Sequence, residues 1–253
     1  MKRKVLLTGA AGRIGQFFLA STAERYAFTL TDRQEPKDTF GHPFIPADIS
    51  DPEAVQPLCQ GMDTVIHLAA DPSMYAPWER LLPANIIGTY NVFEAAAQAG
   101  VRRIVYASSI NAVFGYPKDV QVHTGMPVRP INLYGATKCW GEALARLYAD
   151  RRGVSVHCLR FGAVQPRDSE MIDLEHPYID IILTMEDCVR LMVASIEAPD
   201  SVRFGIFHGL SDNRYKRLDI SDTREILGYE PQDDAFALAR ARSAAPQAST
   251  AQG

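Results

Sequence analysis

The chain has 253 residues, enough for one large domain or for one domain and a fraction, with no need of disulfide or metal staples to hold its core. Its 26 Lys and Arg stand against 30 Asp and Glu, a net charge of −4, which excludes the basic surface that nucleic acid or an anionic membrane face would require. Hydrophobic residues are 47% and charged residues 22%, the balance of an ordinary globular protein.

Short apolar runs alternate with longer helical patterns from the start. Lys2-Arg3-Lys4 leads into Val5-Leu6-Leu7, a strand too short to be a signal peptide. No later stretch approaches the roughly 18 apolar residues of a membrane span, so a cytoplasmic location with no membrane partner is expected. Phe17 to Tyr26 reads as a helix, Phe28 to Leu30 as a strand, Pro52 to Cys59 as a helix and Thr64 to Leu68 as a β-branched strand. After Asn85 the apolar residues Ile86, Ile87, Tyr90, Phe93 and Ala97 recur at helical spacing up to Gly100, and Arg103 to Ala107 is the next strand. Trp140, Ala143, Leu144, Leu147 and Tyr148 share a face of a helix over 134–150, followed by the strand Val154 to Leu159. Strands joined by crossover helices predict a parallel sheet covered on both faces.

Beyond Arg160 the pattern loosens into a proline-punctuated stretch from Gln165 to Tyr178, then a helix from Met185 to Ala198 and smaller elements. Residues 1–163 therefore read as one sheet-forming domain and 164–240 as a small lobe interleaved with the sheet. Residues 241–253 contain no aromatic or large aliphatic side chain and read as a disordered tail. Cys59, Cys139, Cys158 and Cys188 form no paired or metal-binding pattern, so buried free thiols and no metal site are expected.

Thr8-Gly9-Ala10-Ala11-Gly12-Arg13-Ile14-Gly15 sets three glycines at intervals of three between the first strand and the first helix. Gly9 supplies a tight turn, Gly12 a backbone that a pyrophosphate can approach, and Gly15 close contact between helix and strand, while the helix N-terminus receives the phosphate. Asp32 follows Gly15 by 17 residues, where a carboxylate accepts hydrogen bonds from the adenosine ribose. It would repel a 2′-phosphate, so NAD is expected; Arg33 beside it keeps NADP as the minor alternative. Asp48, after a third short strand, either holds the adenine amino group or caps the helix at Pro52. The expected fold is thus α/β, a Rossmann-type doubly wound parallel sheet with a small C-terminal lobe.

Tyr134 and Lys138 lie four residues apart on one face at the start of a helix. A tyrosine is a poor base at neutral pH, but a neighbouring ammonium and the positive nicotinamide ring both favour the phenolate, so the pair can take a proton from an alcohol. Ser108 and Ser109 stand just past a strand end, with Ser109 25 residues upstream of Tyr134, where a hydroxyl can orient the substrate oxygen. Asn85 either completes a proton relay or caps a helix.

These residues resemble the short-chain dehydrogenase/reductase superfamily in its extended branch: Thr8 to Gly15, Leu68-Ala69-Ala70, Ser109, and Tyr134 with Lys138. Ala76-Pro77-Trp78-Glu79, Leu133 to Glu142, Asp187-Cys188, Ser211-Asp212-Asn213 and Leu227 to Pro231 look like the uronate dehydrogenases and related glucose-6-phosphate dehydrogenases, a similarity that runs over residues 4–236. The resemblance implies NAD-dependent oxidation at C1 of a cyclic aldose or sugar acid to a lactone, with a homodimer or higher homo-oligomer as the assembled form. It implies Tyr134 as base, Lys138 as holder of the nicotinamide ribose, and Ser109 as partner of the reacting hydroxyl. The cofactor set it implies is Gly9, Gly12, Arg13, Ile14, Gly15, Asp32, Arg33, Asp48, Ile49, Leu68, Ala69, Ala70, Asn85, Ser108, Tyr134, Lys138 and Phe161. The substrate set is Ser73, Ser109, Ile110, Asn111 and Tyr134.

Uronate dehydrogenases read Ser-Ser-Asn-His where this chain has Ser108-Ser109-Ile110-Asn111. Their carboxylate-clamping arginine falls at Ile172 or Pro177 by counting from either side, and Arg167 and His176 are the nearest basic substitutes. The sugar stays open on this reading. A nucleotide-sugar epimerase or dehydratase is the alternative activity, although the 93 residues after Arg160 leave little room to hold a nucleotide-sugar. A non-enzymatic nucleotide sensor is the third reading, against which both Tyr134 and Lys138 are retained.

Overall fold

A computed structural model describes residues 2–244. Six parallel strands form one sheet in the order β2-β1-β3-β4-β5-β8, where β1 is Lys4–Thr8, β2 Ala27–Thr31, β3 Thr64–His67, β4 Arg103–Ser109, β5 Ser155–Phe161 and β8 Phe204–Gly209. Helices cover both faces, so the strands bury both sides and read as continuous apolar runs. All of β3 and β5 is buried.

Helix α1, Arg13–Thr22, turns Gly15, Phe18, Leu19 and Thr22 inward, the spacing of one helical face. After α2, Pro52–Val55, a 3-10 turn runs over Gln56–Cys59. Helix α3, Trp78–Leu81, passes through a π-helical stretch, Leu82–Gly88, into α4, Thr89–Gln98. Helix α5, Leu133–Arg151, starts from an Asn132 cap and returns the chain to β5. β6, Ala163–Gln165, pairs with β7, Ile182–Thr184, in a small parallel ribbon that leads into α6, Met185–Glu197. The remaining helices are α7, Ser221–Leu227, and α8, Ala235–Ala244.

The second segment is shared between two layers. α6 and β8 complete the main sheet and its cover, while β6, β7 and α8 build the small lobe around Ile172, Ile179, Ile182, Ala235 and Ala239. The fully buried Arg103 guanidinium donates to the carbonyls of Ser195, Ile196, Ala198 and Pro199, placing a cation at the C-terminal end of α6, where the helix dipole favours one.

Four sequence expectations change. The third short strand is reduced to a bridge between Leu30 and Phe44, because Pro43 and Pro46 flank it and cannot donate to a ladder. The helix expected after Asn85 begins earlier, at Trp78, so Asn85 lies inside the π-helical stretch and caps nothing. Asp51, not Asp48, caps the helix at Pro52, accepting from the Glu53 amide at 3.0 Å. Finally, the expected tail loses its first four residues to α8, where Arg242 donates to the carbonyls of Asp168, Ser169 and Ile172; residues 245–253 lie outside the described residues.

Candidate active site

Strand order reverses on either side of β1, and the loop from β1 to α1 opens at that switch point, on the carboxyl edge where open parallel sheets bind ligands. Gly9 has φ +73°, and a Cβ there would stand 2.7 Å from the Ala69 amide nitrogen; a Cβ on Gly15 would stand 2.3 Å from the Gly9 carbonyl oxygen. Only glycine fits at either position. Gly12 caps α1 without any side chain to fill the first amides. An uncapped helix N-terminus held behind a glycine turn fits a pyrophosphate. The Asp32 carboxylate accepts from the Ala11 and Arg33 amides at 3.0 and 2.7 Å, which anchors it beside the loop at the end of β2.

On the next strands the same edge carries Ser109, at the end of β4, and Tyr134 and Lys138 on the first turns of α5. The Lys138 ammonium lies 5.1 Å from the Tyr106 ring centre and 5.5 Å from that of Tyr134. Lys138 is 4% exposed, and its ammonium has no hydrogen-bond acceptor among the described residues. The ammonium itself is not fully enclosed, and a donor set left open at this edge fits the hydroxyls of a cofactor ribose.

Burial dominates the ionisation of both residues. Tyr134 is pushed up to about 12 by burial, with a Ser109 hydrogen bond pulling down and the Asp71 charge pushing up. Lys138 is pushed down to about 8 by burial, against the opposing pull of Glu142. Burial is thus the larger influence on Tyr134 in the protein by itself, and the phenolate expected from the sequence calls on the positive nicotinamide ring as well as on Lys138. Below Lys138, His67 is driven down to about 3 by burial and then by the Lys138 charge, so a neutral imidazole hydrogen-bonds Thr8 and underlies the site.

A model of the NAD dependent epimerase/dehydratase family matches residues 5–168. The chain belongs to this family. An NAD-dependent glucose-6-phosphate dehydrogenase of Haloferax volcanii is 36% identical, over 92% of this chain and 95% of that one. An L-arabinose 1-dehydrogenase (NAD(P)(+)) of the same organism is 32% identical, over 91% and 97%. The crystal structure of a uronate dehydrogenase from Agrobacterium tumefaciens complexed with NAD superposes with a TM-score of 0.85 at 31% identity, covering 96% of this chain and 89% of that one.

Within the family's nucleotide-binding fold, the residues singled out in the sequence separate into those that meet at the site and those committed elsewhere. Gly9, Gly12, Gly15, Asp32, Leu68, Ala69, Tyr134, Lys138 and Ser109 gather along the carboxyl edge, with Phe161 ending β5. Ala70 and Ser73 continue the loop after β3, where the Ser73 hydroxyl oxygen accepts from the Tyr75 amide. Ile14 packs against the buried core that holds Val5, Leu7 and Phe18, and the Arg13 guanidinium donates to the Val164 carbonyl at 2.6 Å, tying α1 to the small lobe. Arg33 and Asp48 are exposed, and the Ile49 side chain packs against Gly88.

Four assignments need correction, the first being Asn111, whose side-chain amide donates to Ser109 Oγ and accepts from Asn132. Ser108 does not face the site, because neighbouring strand residues point to opposite faces; its hydroxyl donates to Glu142 at 2.6 Å. Ile110 is buried in an apolar cluster with Val113, Ile181 and Leu210 and offers no polar group to a sugar. Asn85 is a brace, accepting from the Asp71 amide at 2.8 Å while its Nδ2 donates to the Asp71 carbonyl and to Thr137 on α5. Of the basic substitutes for a clamp, Arg167 is held by Asp233, and His176 rests on the Tyr178 ring. Ile172 is core.

Sequence reading missed the Glu142–Arg160 pair and Asn132. Glu142 accepts from Arg160 Nε and Nη2 at 2.7 and 2.8 Å, with both side chains buried. An Asn directly before a helix is a capping signal that could have marked Asn132; no local signal marks a pair 18 residues apart on different elements.

Proposed function

We propose that the protein is an NAD-dependent sugar 1-dehydrogenase that oxidises the C1 hydroxyl of a cyclic aldose or sugar acid to the lactone. The observation that carries this reading is the meeting of Ser109, Tyr134 and the acceptor-less Lys138 beside an uncapped, glycine-turned helix N-terminus. Relatives that act on glucose 6-phosphate and on L-arabinose support the chemistry and leave the sugar itself open.

In this reading Gly9, Gly12 and Gly15 admit the pyrophosphate, Asp32 takes the adenosine ribose and favours NAD over its 2′-phosphorylated form, and Lys138 holds the nicotinamide ribose. NAD, when bound, accepts the hydride from C1 and adds a positive ring to the site. Ser109 holds the C1 oxygen, and Tyr134 takes its proton. Lys138 keeps a positive charge near the phenolate that accepts this proton, which matters because burial opposes that phenolate. Ser73 reaches the sugar from the loop after β3. The direct test is a panel of aldoses, uronates, phosphosugars and sulfosugars offered with NAD and with NADP and followed by absorbance of the reduced cofactor.

The reading extends to assembly and location. Ile87, Tyr90, Trp140 and Leu147 are each more than 40% exposed on the π-helical stretch, α4 and α5, an apolar surface suited to a second copy. Light scattering at micromolar concentration is expected to give a dimer or larger mass; a monomer mass would contradict this part. Four free thiols, three of them buried, fit a reducing cytoplasm, and no helix among the described residues is long and apolar enough to cross a membrane. Recovery of the native protein in an exported fraction would contradict the cytoplasmic placement.

A further inference from the structure

The catalytic helix and the catalytic serine are joined by a chain of side-chain amides. At the start of α5, the Gly135 amide donates to Asn132 Oδ1 at 2.7 Å. A backbone N–H can only donate, so this bond fixes which end of the Asn132 amide faces the helix and turns Nδ2 the other way. There Nδ2 donates to Asn111 Oδ1 at 3.0 Å. That in turn fixes the Asn111 amide, whose Nδ2 donates to Ser109 Oγ at 3.1 Å. Turning the Asn111 amide over would set its Nδ2 against the Nδ2 of Asn132, two donors with no acceptor between them.

The Asn111 backbone amide donates to the same Ser109 oxygen, also at 3.1 Å. A serine hydroxyl has two acceptor lone pairs and one hydrogen. With both lone pairs taken, only the hydrogen is left to point outward. Packing keeps the chain short: Gly135 lies so close to the turn after Ser109 that a Cβ on it would stand 2.4 Å from the Asn111 carbonyl oxygen. Ser109 and Asn111 are each 7% exposed, so water does not compete freely for these bonds.

We propose that Asn132 and Asn111 are positioning residues that set the polarity of the active site, making Ser109 an obligatory donor whose one hydrogen faces the Tyr134 phenol in the free enzyme and the reacting C1 oxygen once sugar is bound. This reassigns Asn111 from sugar contact to support of Ser109, and it rests on the dehydrogenase reading above. The polarity matters chemically. A serine free to accept would compete with Tyr134 for the sugar's hydroxyl proton, whereas a donating serine leaves Tyr134 as the acceptor and stabilises the negative charge that grows on the C1 oxygen as the proton leaves. The Ser109 hydrogen bond is also the influence that lowers Tyr134 against its burial.

Two substitutions at Asn132 separate this role from capping, since Ser and Asp both cap helices well. Asn132→Ser removes the Nδ2 donor without adding charge. Asn132→Asp offers Asn111 an acceptor, which turns the Asn111 amide over and draws the Ser109 hydrogen inward, reversing the chain. The other groups facing Tyr134 are Lys138 on its own helix, Asp71 from the loop after β3 and Tyr106 from β4, and they are the same in both variants. With sugar and NAD, Asn132→Ser is expected to lower kcat about tenfold and Asn132→Asp more, with KM for NAD unchanged and the alkaline rise of the pH–rate profile moved to higher pH.

Titration of the Tyr134 phenol, taken as the ultraviolet difference between each protein and the same protein carrying Tyr134→Phe, reads the chain with no sugar present and is expected to move to higher pH in both variants. Wild-type NADH formation tests the dehydrogenase reading by itself, and the variant titrations test this proposal by themselves. An Asn132→Ser protein that binds NAD, turns over at the wild-type rate and titrates Tyr134 at the wild-type pH would overturn it.

Discussion

Replacing Tyr134 with Phe is expected to lower kcat by about 10²- to 10⁴-fold while leaving NAD affinity unchanged, the range associated with loss of a positioned acid or base. The substitution removes one oxygen and keeps the ring over which the Lys138 ammonium lies at 5.5 Å, so the cofactor side of the site keeps its shape. Because burial holds the wild-type phenol high, oxidation by the intact enzyme is expected to speed up from neutral to alkaline pH as the phenolate becomes accessible. The Phe variant has no such group, and its residual rate should lose that rise. Steady-state rates across pH, with NAD binding measured by calorimetry, check both statements. A variant that turns over at the wild-type rate would remove Tyr134 from the chemistry.

Glu142→Ala is expected to cost about 3–5 kcal/mol of stability, the usual consequence of stranding one member of a buried ion pair. Arg160 is 1% exposed and Glu142 4%, and the carboxylate receives two Arg160 bonds and the Ser108 hydroxyl. Without it the guanidinium keeps, among the described residues, only a 3.4 Å approach to the ring of His208, an imidazole that burial holds near 4 and so leaves uncharged at neutral pH. At roughly 2–4 °C per kcal/mol for a chain of this size, Tm should fall by about 10 °C. The double variant Glu142→Leu with Arg160→Met, which strands no charge, should recover much of the loss. Calorimetry on the three proteins tests this, and a double variant as unstable as Glu142→Ala would show that packing, not a stranded charge, is responsible.

What the sequence made legible was local. Gly9, Gly12 and Gly15 announce themselves because each demand on the backbone falls within one turn of chain, and Tyr134 and Lys138 because four residues make one helical face. The strands β1, β3, β4 and β5 were legible as apolar runs between turns. The errors arose where a distant partner decides the outcome. Ser108 and Ser109 look interchangeable in sequence, yet the pleat gives one to Glu142 and the other to the site. Asn85 sits where the apolar spacing starts a helix, but its amide is used by Asp71 and Thr137, 14 and 52 residues away. The third strand failed because its two prolines weaken a ladder that the apolar pattern alone would allow. Helix α8 reaches Ala244 on the strength of Arg242 contacts to the small lobe, which composition cannot reveal.

The sugar is the part of the specificity that local pattern does not reach. Ile172, one of the two positions where the related carboxylate clamp would fall, is packed into the lobe core, and Arg167 is already engaged by Asp233. Recognition of the far end of the substrate must therefore come from groups other than a clamp at that position.

The most direct measurement is product analysis during NADH formation. The purified protein is given NAD and each sugar of the panel, and the reduced cofactor is counted against lactone. The account predicts, for at least one cyclic aldose or sugar acid, one lactone for each NADH, with NADP a poorer oxidant. Interconversion of a nucleotide-sugar with retained NAD and no net NADH would contradict it.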